Sequence, residues 1–235
     1  MQVWIYVFSL LKGFLSIQAH LSCDGHNSFI SIHLFLSIIL MDYSNYKYKK
    51  FTFDQFKKEV NINKHIYDNF LVHFFNYINI LLRYQHVKTF DLYYDMIMEG
   101  MYTHFQSYDS NLKLFVHTLY DKTANKCVAY CITFIVNNNI LTDKYYRELS
   151  DIIKGSSIVA YIKNVVIDSS YRGKGLCNYF ISRVKKNCIK NNINYILCEI
   201  NVDRVPQSAK CFKNNGFTQT TIRSYRDSWY FYIKI

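Results

Sequence analysis

One stretch limits what this chain can fold into. An apolar run, Ile158 to Ile167, meets a polar turn, Asp168-Ser169-Ser170. Tyr171-Arg172-Gly173-Lys174-Gly175-Leu176 follows, and a helical pattern then runs from Cys177 to Asn192. Strand, glycine loop and helix start form a geometry that receives an anionic phosphate. The first N–H groups of a helix have no intrahelical partner, and glycines let the backbone approach a ligand closely. Arg172 and Lys174 add positive charge at the same place. Two better-known phosphate loops do not fit. G-x-x-x-x-G-K-[ST] fails because no Ser or Thr follows Lys174, and G-x-G-x-x-G fails because Asn178 holds its sixth position.

The other elements arrange themselves around this one. Thr52 can cap a helix over TFDQFKKEV, and helical spacing continues over 65–83 and 91–105. Leu112 to Tyr120 and Cys127 to Val136 alternate apolar and polar residues on either side of the turn 121–126, which predicts a hairpin. Asp143 to Lys154 reads as a short helix. After the loop, a buried strand is predicted over 195–200. Pro206 then opens a helix that Gly216 ends. Phe217 onward and 228–235 read as two last strands joined by a turn.

Residues 1–41 stand apart. The run 29–40 is too short to span a bilayer, where about 20 apolar residues are needed. The preferred reading is that the folded domain comprises 42–235 and that translation starts at Met41; an anchor or targeting segment is the alternative, and a membrane location is not expected. The net charge of +11 raises nucleic acid as a partner. No basic cluster exceeds Lys47-Tyr48-Lys49-Lys50, which speaks against it. The seven cysteines have no disulfide-framework spacing, and all eight histidines precede residue 120, away from the loop. Cys127 and Cys131 are expected to share one buried strand face. A reduced, metal-free, cytoplasmic protein is the simplest expectation.

VVIDSSYRGKGL resembles the acyl-CoA pyrophosphate loop of the GNAT superfamily of N-acetyltransferases, R/Q-x-x-G-x-G/A. Arg172 takes the first position, Gly175 the fourth, and Cys177 stands where Gly or Ala is usual. QSAKCFKNNGF (207–217) is similar to a second GNAT segment. Its usual Tyr, proposed to protonate the departing thiolate, is replaced here by Phe212, which has no phenol. Ser208 stands where many members have an Asn touching the cofactor. The resemblance implies an α/β fold with a mixed, mostly antiparallel central sheet and helices on both faces. It implies acetyl-CoA as cofactor, held by Val165, Val166, Ile167, Arg172, Gly173, Lys174, Gly175, Leu176, Cys177, Ser208 and Phe212.

Within the superfamily the chain looks most like glucosamine-6-phosphate N-acetyltransferase, through AYIKNVVIDSSYRGKGL, the YILCE strand and FKNNGF. That implies a homodimer making N-acetylglucosamine 6-phosphate for UDP-GlcNAc synthesis. Lys163 and Asn164 stand where sugar contacts are expected, and Lys234 where a basic residue reaches the partner's sugar phosphate. The chemistry needs a neutral amine close to the thioester and a donor for the oxygen that gains charge. The Val166 N–H is the expected donor, Glu199 the candidate base, and Tyr230, with Tyr225 and Tyr232, the candidate acid. A protein or peptide N-acetyltransferase and a silent acyl-CoA-binding domain are the competing readings.

Overall fold

A computed structural model of the chain describes residues 42–68, 112–137, 152–153, 158–223 and 228–235. Ser44–Ile235 forms one compact unit. The helices expected at 91–105 and over most of 65–83 and 143–154, the segment 1–41 and Tyr225 lie outside the described residues. Of the 143–154 helix, 152 and 153 are described and form a turn and a bend, with Ile153 buried in the core.

The unit is a seven-stranded sheet in the order β1-β2-β3-β4-β5-β7-β6. The strands are β1 (Tyr46–Thr52), β2 (Lys113–Asp121), β3 (Lys126–Asn137), β4 (Ile158–Ile167), β5 (Tyr195–Ile200), β6 (Thr218–Arg223) and β7 (Trp229–Lys234). All neighbours are antiparallel except β4 and β5, which run parallel. A parallel pair needs a long crossover, and α2 (Leu176–Lys190) supplies it. The expected mixed, mostly antiparallel sheet is what the chain forms.

β1 was not expected. Tyr46, Tyr48 and Lys50 alternate with Lys47, Lys49 and Phe51, and the lysines disguise the strand as a basic cluster. Their charges are used locally. Lys49 pairs with Glu59 at 2.8 Å, and the Lys50 ammonium stands 3.6 Å from the centre of the Phe115 ring. Thr52 ends the strand and caps α1 (Phe53–Ile62) with a capping box, its hydroxyl accepting from the Gln55 N–H.

Helices cover both faces. On one face, Phe56 and Val60 of α1 pack with Val116, Tyr130, Ile132, Val159, Tyr161 and Leu197. On the other lies α2, whose buried stripe is Leu176, Phe180, Ile181, Val184 and Cys188. Cys127 and Cys131 are both buried, yet they do not share a face. Leu119 pairs with Ala129 and Tyr120 with Cys127, so Val128 is an extra residue and the alternation slips by one. Cys127 joins the α1-side core.

α3 (Pro206–Asn214) begins with proline at its first turn, as expected, and leads into β6. Cys211 on α3 is bonded to Cys177 on α2, their Cα atoms 6.2 Å apart. This corrects the expectation of a fully reduced chain. The two cysteines are 34 residues apart in sequence, and only the packing of two helices brings them within bridging range. The free cysteines among the described residues, 127, 131, 188 and 198, are all buried.

Candidate active site

β4 runs into the glycine loop, and neighbouring carboxylates hold that junction. Asp168 ends the strand and accepts from the Ser170 N–H at 2.9 Å and the Ser170 hydroxyl at 2.6 Å, which starts a 3-10 turn over Ser169–Tyr171. Lys126 reaches Asp168 at 3.5 Å. The Tyr171 hydroxyl donates to Asp121 at 2.9 Å, and Asp121 also accepts from the N–H groups of Thr123 and Ala124. Burial pushes both carboxyls up. The hydrogen bonds, with the Lys126 charge, outweigh it and hold each below the usual carboxylate range. The β2–β3 turn thus grips the loop from the side.

Gly173 and Gly175 both have positive φ, +75° and +69°. Other residues are strained there, so the loop needs glycine at these two places. Gly175 is the N-cap of α2, and no side chain caps that helix start. Its first turn carries no acidic residue. The early N–H groups are therefore turned out at the positive end of a 15-residue helix. Lys174 stands over the Tyr171 ring at 5.0 Å, and the Arg172 Nε donates to the Ile167 carbonyl at 3.2 Å. Cys177 is joined to α3, so at the sixth position of the motif the cradle offers backbone rather than a free thiol.

Beside the loop the sheet opens. β4 and β5 pair from Val159↔Tyr195 to Ile162↔Cys198 and no further, although β4 continues to Ile167 and β5 to Ile200. The cause is visible in β4. Ile162 pairs with Thr133 and Asn164 with Ile132, so Lys163 is the extra residue of a bulge, which bends the strand. A gap of extended backbone results, leading to the glycine loop.

The register corrects one expectation. The Asp168 N–H donates to the Val128 carbonyl on β3 at 2.9 Å. Backbone groups alternate sides along a strand, so the Val166 N–H also turns toward β3. The N–H groups of Val165 and Ile167 turn to the gap instead. The Val166 side chain packs against the α1-side core.

The remaining candidates fall into two sets. Glu199 stands where β5 leaves β4, opposite Tyr230 on β7, and the Tyr161 hydroxyl donates to its carboxylate at 3.4 Å. Tyr161 drew no attention in the sequence; the signal was Glu199 itself, a carboxylate in an otherwise apolar strand that needs a donor. Tyr230 is buried and Tyr232 half-buried. Phe212 is buried edge-on against Phe217, with ring centres 4.9 Å apart, and Ser208 is half-buried in the first turn of α3. Lys234 lies apart. It pairs with Tyr195 at the other end of β5, roughly 13 Å along the strand from Glu199 at ~3.3 Å per residue.

These residues fit an acyl-CoA. A pyrophosphate finds uncapped N–H groups and two basic residues, and a linear amide-bearing arm finds unpaired strand backbone. Among the described residues, no His, Cys, Asp and Glu cluster could hold a metal ion, and no helix is long and apolar enough to cross a membrane.

Comparison with known proteins agrees. The model of the acetyltransferase (GNAT) family matches residues 82–217. No curated protein sequence matches the chain. Among solved structures, glucosamine-6-phosphate N-acetyltransferase from Arabidopsis thaliana is 17% identical, covers 76% of this chain and 95% of its own, and gives a TM-score of 0.42. An aminoglycoside acetyltransferase from an uncultured soil metagenomic sample, in complex with trehalose, is 11% identical, covering 78% and 96%, with a TM-score of 0.46. The ribosomal-protein-S18-alanine N-acetyltransferase from Escherichia coli is 17% identical, covering 57% and 76%, with a TM-score of 0.39. The family match spans more than half of the chain, so this protein belongs to the GNAT family and is an acetyl-CoA-dependent N-acetyltransferase.

Proposed function

We propose that the chain acetylates the primary amine of a small anionic acceptor, with glucosamine 6-phosphate as the first candidate and N-acetylglucosamine 6-phosphate as the product. The observation that carries this reading is the parting of β4 and β5, with a cation, Lys163, at the bulge and a carboxylate, Glu199, where the strands separate. An amine arriving there meets a base, and an attached phosphate meets a lysine.

Acetyl-CoA supplies the activated acetyl group when bound. The chain's own residues do the rest. The Arg172 N–H is taken by the Ser169 carbonyl, so the N–H groups from Gly173 to Leu176, with the Arg172 and Lys174 charges, hold the pyrophosphate. Val165 and Ile167 offer N–H groups to the pantetheine arm and to the oxygen that gains charge during attack. Glu199, oriented by Tyr161, takes the ammonium proton, since only the neutral amine is nucleophilic. Phe212 packs and carries no proton. Tyr230 and Tyr232 are the phenols on β7 proposed as acid. Lys163 and Asn164 contact the acceptor. Lys234 is too far along the sheet to serve its own chain's gap, so its proposed role is toward the phosphate bound by a second copy in a homodimer.

The test is thiol release from acetyl-CoA by the purified chain with glucosamine 6-phosphate, unphosphorylated glucosamine and a mixed peptide pool. Turnover that requires the sugar phosphate is the expected result. Turnover with peptides alone would replace the reading with protein N-acetylation, and tight acetyl-CoA binding without turnover of any amine would replace it with a silent cofactor-binding domain.

A further inference from the structure

On the face of the sheet that carries α2 lies a cavity of about 150 Å³. It sits where β4 begins, whereas the glycine loop follows where β4 ends. Ile158 to Ile167 is the length of the strand, roughly 30 Å at ~3.3 Å per residue. Phe115, Ile135 and Ile158 give the cavity apolar walls, and Lys50 and Lys113 both line it. Among the described residues, no carboxylate does. His117, also in the lining, is 1% exposed; its Nδ1 meets the Tyr48 hydroxyl at 2.6 Å and its Nε2 the Thr133 hydroxyl at 2.8 Å. Burial keeps that imidazole neutral, so it adds no charge.

Two lysines, Lys50 half-buried and Lys113 exposed at the rim, thus border one partly enclosed space, and no described residue of the lining supplies a counter-charge. Burial lowers the Lys50 amine from its ordinary value, and the Lys113 charge adds to the effect. The C-terminal end of α2 borders the cavity but offers little compensation. Its carbonyls at Asn187, Cys188 and Ile189 already accept from the N–H groups of Asn191, Asn192 and Ile193. Like charges that line one cavity repel, and an anion between them turns both interactions favourable. An apolar cavity of this volume accepts a ring the size of benzene.

We propose that this cavity is a second ligand site, for a small organic monoanion: a carboxylate on an aromatic or branched aliphatic body about the size of a benzene ring. It is separate from the acetyl-CoA cleft and does not depend on which amine the enzyme acetylates. Lys50 and Lys113 bind the carboxylate, Phe115, Ile135 and Ile158 take the body, and His117 marks the floor.

The test is titration of the full chain, with isotope-labelled isoleucine methyl groups, by benzoate and by neutral benzyl alcohol. Benzoate should shift the Ile135 and Ile158 methyl resonances saturably, with or without saturating acetyl-CoA. Benzyl alcohol should bind about tenfold more weakly, the worth of one charge-assisted hydrogen bond. The pair Lys50→Gln and Lys113→Gln should weaken benzoate to the level of the alcohol while the other isoleucine resonances keep their positions, which reports an intact fold. Equal binding of acid and alcohol, undiminished benzoate binding by the double variant, absence of saturable shifts, or competition by acetyl-CoA would each overturn the proposal.

Discussion

The Tyr171 hydroxyl donates to the Asp121 carboxylate across 2.9 Å and fifty residues of chain. A turn between two antiparallel strands thereby fixes the loop proposed to hold the cofactor's pyrophosphate. Tyr171→Phe removes the donor and leaves Asp121 with its two backbone N–H bonds. The expected outcome is a loss of about 1.5 kcal/mol of stability and weaker acetyl-CoA binding, with kcat at saturation little changed. Thermal unfolding and calorimetric titration with acetyl-CoA check it.

Gly175 makes a second prediction separable from the first. Gly175→Ala forces a side chain into φ +69° at the helix cap, at a cost of about 1–2 kcal/mol. Cofactor affinity should fall by more than that strain explains, because the N–H groups at the head of α2 lose their aim. Gly216→Ala is the control. It also has positive φ, +86°, but lies after α3. It should lower the melting temperature and leave acetyl-CoA affinity nearly intact.

His117 gives a pH prediction. Burial holds its folded pKa down at about 3, against an ordinary value of 6.5. Its contribution to stability is fully present above pH 6.5. As pH falls below that, the unfolded chain takes up a proton that the folded chain refuses, until the folded value is reached. Stability should fall by about 1.4 kcal/mol per pH unit from this one site. Denaturant melts of wild type and His117→Gln between pH 7 and about pH 4.5, above the ordinary Asp range, should show the shallower slope in the variant.

Glu199→Gln should lower kcat by about 100-fold, the lower end of what a general base contributes, with acetyl-CoA affinity unchanged. Tyr161→Phe should fall between wild type and that variant. A loss of equal size in cofactor affinity would place Glu199 in the support of the gap rather than in proton transfer.

The Cys177–Cys211 bond closes a loop of 34 residues, and opening it should cost about 3–4 kcal/mol by the chain-entropy argument. Cys211→Ser, melted beside wild type with and without a reductant, tests this. Wild type should shift on reduction and the variant should not.

Local signals carried the loop well. A strand, two glycines and a helix start are consecutive in the chain, so Gly173, Gly175 and the head of α2 were legible from one line of sequence. The hairpin and Pro206 were legible for the same reason. What failed needed partners distant in sequence. β1 hid because lysines filled its alternating positions, and only pairing with β2 makes it a strand. The face of Cys127 depended on a bulge, and the orientation of the Val166 N–H on the register with β3. Tyr161 became a candidate only when parallel pairing put β4 beside β5. Cys177 and Cys211 met through helix packing that no spacing announces.

The parting of β4 and β5 bears on more than binding. It leaves an edge inside the sheet, where β4 beyond Ile162 and β5 beyond Cys198 no longer pair with each other, and such edges invite pairing with any extended peptide. Acetyl-CoA bound in the proposed site would fill the gap as a removable strand, and it would favour the folded chain by a term that grows with the logarithm of its concentration over its dissociation constant. Synthesis and storage of this enzyme should therefore succeed best when the cofactor is abundant, and cofactor starvation should reach it first as aggregation rather than as slow catalysis.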